Sequence, residues 1–384
     1  MDKSILTNSG GQGCIFNPSI KCKKEVQHKS KKSNKNEISK IVFRDESAIR
    51  EFKMNNLVRK IKDHEKWAVL WEIKCKTPSY QKLKKISEFD KCISKKKHLS
   101  KKKEYIMLKG PFGGNISYYA FASMCTKSTF ETNKSFVNLF LQLFSYMKSL
   151  FIGLLELQKK EICHQDINWR NLLFKNNKMF YIDFGLTCVF TNKREINKRF
   201  KIAYSNDRIY DAFPYDYTLY HSSINNTSLK ELTLEHKQFE AGYYRVHHDD
   251  YLIIHEEILK KNNQNHQVGQ HMSQILDDSY QEDPITIIQG LDIYSLGMII
   301  PQILYEICIS KNIPISKLSK LCGAVEIRDH LQLFRDMTKY HSRDRISAES
   351  ALERYLELHD AHHFEHSSKS KSKSKSKSKS KSKS

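Results

Sequence analysis

The sequence is most informative at His164-Gln165-Asp166-Ile167-Asn168-Trp169-Arg170-Asn171 and at Asp183-Phe184-Gly185. The first stretch places a carboxylate, Asp166, and a side-chain amide, Asn171, on one predicted loop. The second follows the short apolar strand pattern Phe180-Tyr181-Ile182 and adds a further carboxylate. Hard cations such as Mg²⁺ take oxygen ligands, so Asn171 and Asp183 are candidate magnesium ligands.

The two stretches match the parts that phosphoryl transfer needs. In that chemistry a loop aspartate accepts the proton of the attacking hydroxyl, and an asparagine with a second aspartate holds the metal that bridges the ATP phosphates. The competing interpretation is a pair of unrelated polar loops. A lone Asp-Phe-Gly carries little information, but the two patterns at this separation rarely occur together by chance. We therefore expect Asp166 to act as the catalytic base.

On these residues the chain resembles the eukaryotic-type Ser/Thr protein kinases. Its Lys-, Asn- and Ile-rich composition and its Lys-Ser tail are similar to those of protein kinases encoded by giant amoeba-infecting DNA viruses. The resemblance covers roughly residues 5–360, with 191–290 poorly matched. It implies an α+β, bilobal fold with a β-rich N-lobe and a mainly helical C-lobe. It also implies Mg²⁺-dependent transfer of the ATP γ-phosphate to Ser/Thr hydroxyls of protein substrates.

A glycine-rich segment near the N-terminus resembles the phosphate-binding loop of this family. Asn8-Ser9-Gly10-Gly11-Gln12-Gly13-Cys14-Ile15 fits the pattern G-x-G-x-x-G-x-V, with Asn8 in place of the first glycine. Backbone N–H groups approach phosphate closely where no Cβ intervenes. A plain hairpin turn is the alternative. The resemblance implies that the nucleotide phosphates are bordered by Asn8, Gly10, Gly11, Gln12, Gly13 and Ile15.

Lys40 lies within the apolar strand pattern Ile38-Ser39-Lys40-Ile41-Val42, where a purely structural lysine is unusual. It resembles the phosphate-pairing lysine of the family. Its expected partner is Glu51, in the middle of a predicted amphipathic helix, with Glu46 as the fallback. An exposed surface glutamate is the alternative interpretation. We therefore predict a Lys40–Glu51 ion pair, and we expect residues 109–115 to connect the lobes and border the adenine.

Two matches beyond residue 289 favour a protein substrate. Gly290-Leu291-Asp292 resembles the start of the buried helix that anchors the catalytic loop, which implies that Asp292 accepts hydrogen bonds from backbone N–H groups of that loop. Arg345 resembles the partner of an acidic residue at the end of the activation segment, for which Phe213-Pro214-Tyr215-Asp216 is the candidate. Small-molecule kinases of the aminoglycoside type usually lack both features.

Two residues depart from the family pattern. Gln165 replaces an arginine, so control through an Arg–phosphate pair at this position is not expected. Asn168 replaces a lysine that stabilises the transferring phosphoryl group, and Arg170 could substitute only in part. A pseudokinase scaffold is the alternative function. The joint presence of Lys40, Asp166, Asn171 and Asp183 argues against it.

Charge and low-complexity segments divide the chain of 384 residues, whose formal net charge is +22. We expect an N-lobe at 1–110 with Lys-rich insertions, a C-lobe at 111–365 with a long insertion at about 191–290, and a disordered Lys-Ser tail at 366–384. Lysines concentrate at Lys21–Lys40, Lys82–Lys103 and the tail. Such segments are typical of solvated surface or of nonspecific contacts with nucleic acid or acidic proteins.

Local periodicity predicts strands at 38–43, 69–73 and 105–108 and helices at 46–61, 139–157, 292–309, 328–340 and 347–358. The apolar stretch Leu139–Leu157 is interrupted by polar residues, which indicates a core helix and no membrane span. Nine cysteines without a C-x-x-C pair suggest neither disulfides nor a zinc site. We expect a reducing, cytoplasmic location, which for a viral protein would be the host cytoplasm or the virion. The histidines between His247 and His271 lack ligand spacing, which favours a solvated loop.

Overall fold

The computed structural model of the chain describes residues 5–8, 13–23, 36–86, 89, 92, 104–192, 194, 196, 214, 283–339 and 342–361. Its N-terminal part is rich in antiparallel β-strands and its C-terminal part is helical. The α+β class expected from the sequence is therefore confirmed. The expected tail at 366–384 lies outside the described residues. So do most of the insertion at 191–290 and of the Lys-rich segments.

A five-stranded antiparallel sheet forms the N-terminal part, in the order β1-β2-β3-β5-β4. The strands are Ile5–Asn8 (β1), Gly13–Asn17 (β2), Glu37–Phe43 (β3), Ile73–Lys76 (β4) and Tyr105–Pro111 (β5). Side chains alternate between the two faces of a strand. Val42 and Ile106 therefore pack on one face with Ala48, whereas Ile41 and Met107 pack on the other with Phe89.

Helix α1, Glu46–Val58, covers the first of these faces. Asp45 begins it as an N-cap, with its side chain accepting a hydrogen bond of 2.9 Å from the backbone N–H of Ala48. The buried residues of α1 recur at helical spacing and form one face: Ala48, Glu51, Met54, Asn55 and Val58. One of them, Glu51, is a carboxylate, and this spacing directs it toward β3. The short helix α2, Tyr80–Lys84, contributes Leu83 to the opposite face of the sheet.

Eight helices make up the described helical part. They are Ser117–Met124 (α3), Asn133–Ser145 (α4), Lys148–Lys159 (α5), Pro284–Gly297 (α6), Ile299–Lys311 (α7), Ile315–Cys322 (α8), Arg328–Met337 (α9) and residues 348–361 (α10). A single large apolar core joins them, with Phe144 of α4 packed against Phe334 of α9 and Tyr355 of α10. The predicted helix at 292–309 is two helices that meet at Met298.

Five short strands surround the loops that carry the candidate site. They are Asn115–Ile116 (β6), Ile162–Cys163 (β7), Leu172–Lys175 (β8), Lys178–Tyr181 (β9) and Cys188–Val189 (β10), paired as β6-β8-β9 and β7-β10. The segment after α1 joins the two parts, because Val69 N–H donates to the Tyr181 carbonyl at 3.0 Å. Trp67 is buried against Gly153 of α5, where an added Cβ would lie 2.8 Å from the indole.

The predicted strand at 69–73 is displaced, since the observed strand, β4, begins only at Ile73. Other partners take the backbone groups of this stretch. Val69 bonds to β9 as described, the N–H of Trp71 donates to Asn55 Oδ1 at 2.9 Å, and the Trp71 carbonyl accepts from the Arg59 guanidinium. Because these backbone groups bond elsewhere, Val69–Trp71 does not pair as a strand of the N-terminal sheet. The bonds of Trp71 attach the segment to α1.

The expectation that the chain has no disulfides is wrong. Cys14 is bonded to Cys92 and Cys22 to Cys75, across sequence separations of 78 and 53 residues. Both bonds tie the N-terminal sheet region together on the face that also carries Phe89. The five remaining cysteines are free and buried, and all belong to the helical part or its short strands. The odd cysteine count therefore does not support a reducing compartment.

One helical segment in the described part of the chain, Asn133–Lys159, is long and apolar enough to cross a membrane, and the bent pair α6–α7 passes the same test as a unit. In the first segment 72% of the tested window is buried inside the protein. Core helices of globular domains share this length and composition. The segment contains α4 and α5, which the turn at Tyr146-Met147 separates.

Candidate active site

The loop after β7 is anchored by Asp292 of α6. Its carboxylate accepts hydrogen bonds from the backbone N–H groups of His164, at 2.5 Å, and Gln165, at 2.9 Å. Asp292 is only 2% exposed, and burial raises its pKa while these hydrogen bonds and His164 oppose that shift. The hydrogen bonds predicted for Asp292 are thus confirmed. They fix the start of the loop that carries Asp166.

His164 supports the loop from within. Its Nε2 lies 3.0 Å from the carbonyl of Ile182, and its Nδ1 lies 3.2 Å from the backbone nitrogen of Asp166. The carbonyl requires a donor and the N–H requires an acceptor, so the neutral tautomer with its proton on Nε2 satisfies both. Burial lowers the pKa of His164, which favours the same neutral form. The imidazole is a structural link between the two loops.

Two side-chain amides hold the carboxylate of Asp166. Asn168 Nδ2 donates to Oδ1 at 2.9 Å, and Asn171 Nδ2 donates to Oδ2 at 2.7 Å. The same amides reach the Asp166 carbonyl at 3.2 and 3.0 Å. The two neutral amides orient the carboxylate without adding charge. Asp166 is half-buried, so its carboxylate remains accessible. A carboxylate held in this way is suited to accept a proton from a hydroxyl group.

Asn168 has a second structural task. Its Oδ1 accepts a hydrogen bond of 2.9 Å from the backbone N–H of Arg170, which caps the 3₁₀-helix Trp169–Asn171. Asn168 is 5% exposed. Arg170 is exposed, and its guanidinium lies 4.8 Å from the centre of the Trp169 ring. Asn168 therefore organises the loop but brings no positive charge to it.

Asn171 and Asp183 have oxygens suited to a hard cation. The amide nitrogen of Asn171 is used toward Asp166, which leaves its Oδ1 as the oxygen for a metal. The backbone N–H of Ile182 donates to the Asn171 carbonyl at 3.1 Å, so the two predicted ligands lie on adjoining loops. Asp183 has a positive φ of 60°, and its Oδ1 accepts from Gly185 N–H at 3.3 Å. The donor set fits Mg²⁺, which is bound through few protein oxygens.

The described residues contain no group of three or more His, Cys, Asp or Glu side chains arranged to hold a metal ion. A cation held by Asn171 and Asp183 would therefore complete its coordination with phosphate oxygens and water. That pattern is usual for Mg²⁺ in nucleotide-dependent enzymes, whereas a self-sufficient protein cage is not.

The predicted Lys40–Glu51 ion pair is present. Lys40 Nζ lies 2.8 and 2.9 Å from the two oxygens of Glu51, and Glu51 Oε1 also accepts from Trp71 Nε1 at 2.9 Å. Lys40 is 6% exposed and Glu51 is 1% exposed. The fallback, Glu46, is exposed in the first turn of α1.

The same lysine reaches the loop that carries the candidate metal ligand, because its Nζ lies 3.9 Å from Asp183 Oδ2. Burial opposes the charge of Lys40, but Asp183 and Glu51 together outweigh it and raise its pKa. The lysine is therefore cationic at neutral pH. Strand β3, helix α1 and the loop after β9 thus meet at one ammonium group.

The glycine-rich segment is described only in part. Asn8 ends β1, whereas Gly13 and Ile15 lie in β2, where Ile15 pairs with Lys40 of β3. A Cβ on Gly13 would lie 2.8 Å from the carbonyl oxygen of Ile41, so a side chain is excluded there. The remaining predicted members of this segment lie outside the described residues; they are Gly10, Gly11 and Gln12. The stretch they belong to connects two strands, one of which borders Lys40.

Three contacts at the site were not foreseen from the sequence. They are the bond from Asn168 to Asp166, the bond from Trp71 to Glu51, and a bond of 3.1 Å from Arg50 of α1 to the carbonyl of Thr187. The first joins two residues of one loop, but the N-cap pattern of an asparagine before a short helical turn predicts only its other bond, from the Arg170 N–H. The other two join segments far apart in the chain.

The role predicted for Arg345 stays a prediction. Arg345 is buried, and its Nε donates a hydrogen bond of 2.7 Å to the backbone carbonyl of Lys339. Its guanidinium lies 5.2 Å from the centre of the Tyr294 ring of α6. Apart from Pro214, the candidate acidic segment at 213–216 lies outside the described residues.

The expected connector at 109–115 runs from the end of β5 to β6. The backbone N–H of Phe112 within it bonds to the Asn36 carbonyl at 2.7 Å, which attaches the connector to the residue before β3. Its predicted contact with adenine stays a prediction. The histidines at 247–271 lie outside the described residues.

Comparison of the chain with protein-family models and with curated proteins found no match. Its function is therefore inferred from the geometry of Lys40, Glu51, Asp166, Asn171 and Asp183.

Proposed function

We propose that this protein is a bilobal, Mg²⁺-dependent protein kinase that transfers the γ-phosphate of ATP to Ser/Thr hydroxyls of proteins. The observation that carries the proposal is the position of Lys40 Nζ, 2.8 Å from Glu51 and 3.9 Å from Asp183. A buried cation between a helix carboxylate and a candidate metal ligand is the arrangement needed to bind polyphosphate beside a metal ion.

Each group has a distinct role in this proposal. Lys40 binds the phosphates and is held in place by Glu51. Asn171 and Asp183 would hold Mg²⁺, which when bound neutralises charge on the transferred phosphoryl group. Asp166 orients the substrate hydroxyl and accepts its proton, with both carboxylate oxygens positioned by amides. Positioning and charge stabilisation account for most of the rate in phosphoryl transfer.

The direct test is incubation of the purified protein with labelled ATP, Mg²⁺ and generic acidic and basic protein substrates. We expect label in protein with the wild type and a loss of it in Asp166→Asn and Asp183→Asn. Omission of Mg²⁺ should abolish transfer as well. Equal labelling by the wild type and both variants would sink the proposal, because neither carboxylate would then take part.

A pseudokinase scaffold is the second candidate, and the neutral Asn168 favours it, because no cation is present at the position where the family supplies one. The scaffold would bind ATP at Lys40 and act through contacts of its basic segments with nucleic acid or acidic proteins. It predicts nucleotide-dependent thermal stabilisation without transfer of label to any substrate. Transfer that depends on Asp166 would eliminate it.

A further inference from the structure

We propose that Arg170 forms a subsite for an acidic side chain of the protein substrate, next to the residue that is phosphorylated. This inference rests on the proposed function and adds to it a substrate class, namely segments in which Asp or Glu flanks the acceptor Ser or Thr. It is based on the position of Arg170 in the loop, on the aromatic ring that contacts its guanidinium and on the charges around it.

Arg170 lies in the loop that carries the candidate base, Asp166. It belongs to the 3₁₀-helix Trp169–Asn171, so its neighbour in the chain is the candidate metal ligand Asn171. Its backbone N–H donates to Asn168 Oδ1 at 2.9 Å, and the amide of that same residue holds Asp166. The backbone of Arg170 is thereby fixed relative to the candidate base. A peptide whose hydroxyl reaches Asp166 would therefore bring its flanking residues near this short helix.

An aromatic platform, formed by Trp169 and Tyr118, presents the guanidinium. The guanidinium carbon lies 4.8 Å from the centre of the Trp169 ring, which in turn lies 4.8 Å from the Tyr118 ring of α3. The Trp169 carbonyl accepts a hydrogen bond of 3.1 Å from Ser117 Oγ, and the Tyr118 hydroxyl reaches the Glu306 carbonyl at 3.5 Å. Helices α3 and α7 therefore support the platform. A guanidinium that stacks on a ring keeps its in-plane N–H groups for a carboxylate.

The positive charge of Arg170 is available to bind a carboxylate of a substrate. In the described part of the chain, no Asp or Glu forms an ion pair with Arg170, although the exposed cations Arg44 and Lys66 do have such partners. Asp166, the nearest carboxylate in sequence, is bonded to two amides. The net charge of +22 adds a long-range attraction for acidic segments. An acidic peptide is favoured over nucleic acid because this cation lies beside the residue proposed to activate a protein hydroxyl.

The test compares three serine peptides that differ only in the flanking residues, which are Glu, Gln or Lys. Initial rates give kcat/KM for each peptide with the wild type, Arg170→Ala and Arg170→Glu. We expect the wild type to prefer the Glu peptide over the Gln peptide by about two- to fivefold, as for an ion pair between exposed side chains. Arg170→Ala should bring that ratio close to one, and Arg170→Glu should prefer the Lys peptide.

Arg328→Ala is the matched control, since it removes an exposed arginine from the start of α9, outside the candidate site. It should keep the preference of the wild type. An unchanged ratio in Arg170→Ala would overturn the subsite, as would an equal loss of preference in Arg328→Ala. Inversion of preference by Arg170→Glu is a result that mere damage to the loop would not produce.

Peptide binding without turnover separates this inference from the proposed function. Fluorescence anisotropy with labelled forms of the same peptides should show weaker binding of the Glu peptide to Arg170→Ala than to the wild type. If binding changes in this way while no peptide is phosphorylated, the result supports the subsite and contradicts the proposed kinase activity. If Arg170→Ala instead weakens only the binding of a labelled single-stranded oligonucleotide, the site belongs to nucleic acid and the proposal is wrong.

Discussion

Lys40 Nζ donates hydrogen bonds to both carboxylate oxygens of Glu51, at 2.8 and 2.9 Å, in the interface between β3 and α1. Replacing one member of a buried ion pair leaves the other charge without compensation and costs about 3–5 kcal/mol. We therefore expect Lys40→Met to lower the free energy of unfolding by about that amount. Chemical denaturation measures it, and nucleotide affinity should fall in the same variant.

The double variant Lys40→Met/Glu51→Gln is the control for this pair. The Gln retains an acceptor for Trp71 Nε1, which lies 2.9 Å from Glu51 Oε1, but removes the buried charge. The double variant should be more stable than Lys40→Met alone while still failing to bind ATP. If the losses of Lys40→Met and Glu51→Gln simply added in the double variant, the two charges would not be coupled.

Asn168 can be tested by two substitutions that separate its two hydrogen bonds. Asn168→Ala removes both the cap of the 3₁₀-helix and the donor to Asp166. It should lower stability by about 0.5–2 kcal/mol. Asn168→Asp retains an acceptor for the Arg170 N–H but puts a second negative charge against Asp166.

Turnover should fall by about 10- to 100-fold in both variants, because the candidate base loses its orientation. Steady-state kinetics and thermal unfolding provide the two readouts. Wild-type turnover in Asn168→Ala would show that the bond from Asn168 is not needed to position Asp166.

The buried His164 predicts a pH dependence of stability. Burial lowers its pKa from the ordinary value of 6.5, although the carboxylates of Asp292 and Asp183 oppose that shift. Below pH 6.5 the imidazole of His164 is protonated in the unfolded chain but takes up its proton only at lower pH in the folded protein. The free energy of unfolding should therefore fall as the pH decreases from 6.5. Urea titrations between about pH 8 and pH 5 measure this change.

His164→Gln offers a side chain that does not titrate in this range and can still donate to the Ile182 carbonyl. It should be less stable than the wild type at about pH 8 and should lose less stability on acidification. Parallel stability curves for the two proteins would assign the pH dependence to other groups.

The two disulfides predict a defined thiol count. Protein handled without reductant and alkylated under denaturing conditions should carry five labels, and fully reduced protein should carry nine. Reduction should lower the free energy of unfolding by about 2–4 kcal/mol for each bond, because it releases the closed loops of the unfolded chain. Cys14→Ser/Cys92→Ser should lose one of these contributions. Nine labels without reductant would contradict both bonds.

Much of the site follows from short-range patterns. Lys40 in a β-branched strand and Glu51 on the buried face of a helix can be identified because strand alternation and helical spacing direct each side chain before the two elements meet. Three further residues, Asp166, Asn171 and Asp183, lie on neighbouring loops, and their spacing predicts a phosphoryl-transfer site. The anchoring role of Asp292 was implied by resemblance alone, and the structure supplies the two hydrogen bonds.

The sequence by itself determined the α+β class, the positions of the longer helices and of β3 and β5, and the polar residues of the candidate site. Only the tertiary structure decided that Cys14 forms a disulfide with Cys92 and that the indole of Trp71 donates a hydrogen bond to Glu51. It also decided that Val69–Trp71 bonds to α1 and β9 instead of forming a strand. Side-chain direction within a helix or strand is a local property of the backbone. The partner of a buried thiol, indole or backbone N–H depends on which distant segment packs against it, and that choice is made by the whole core.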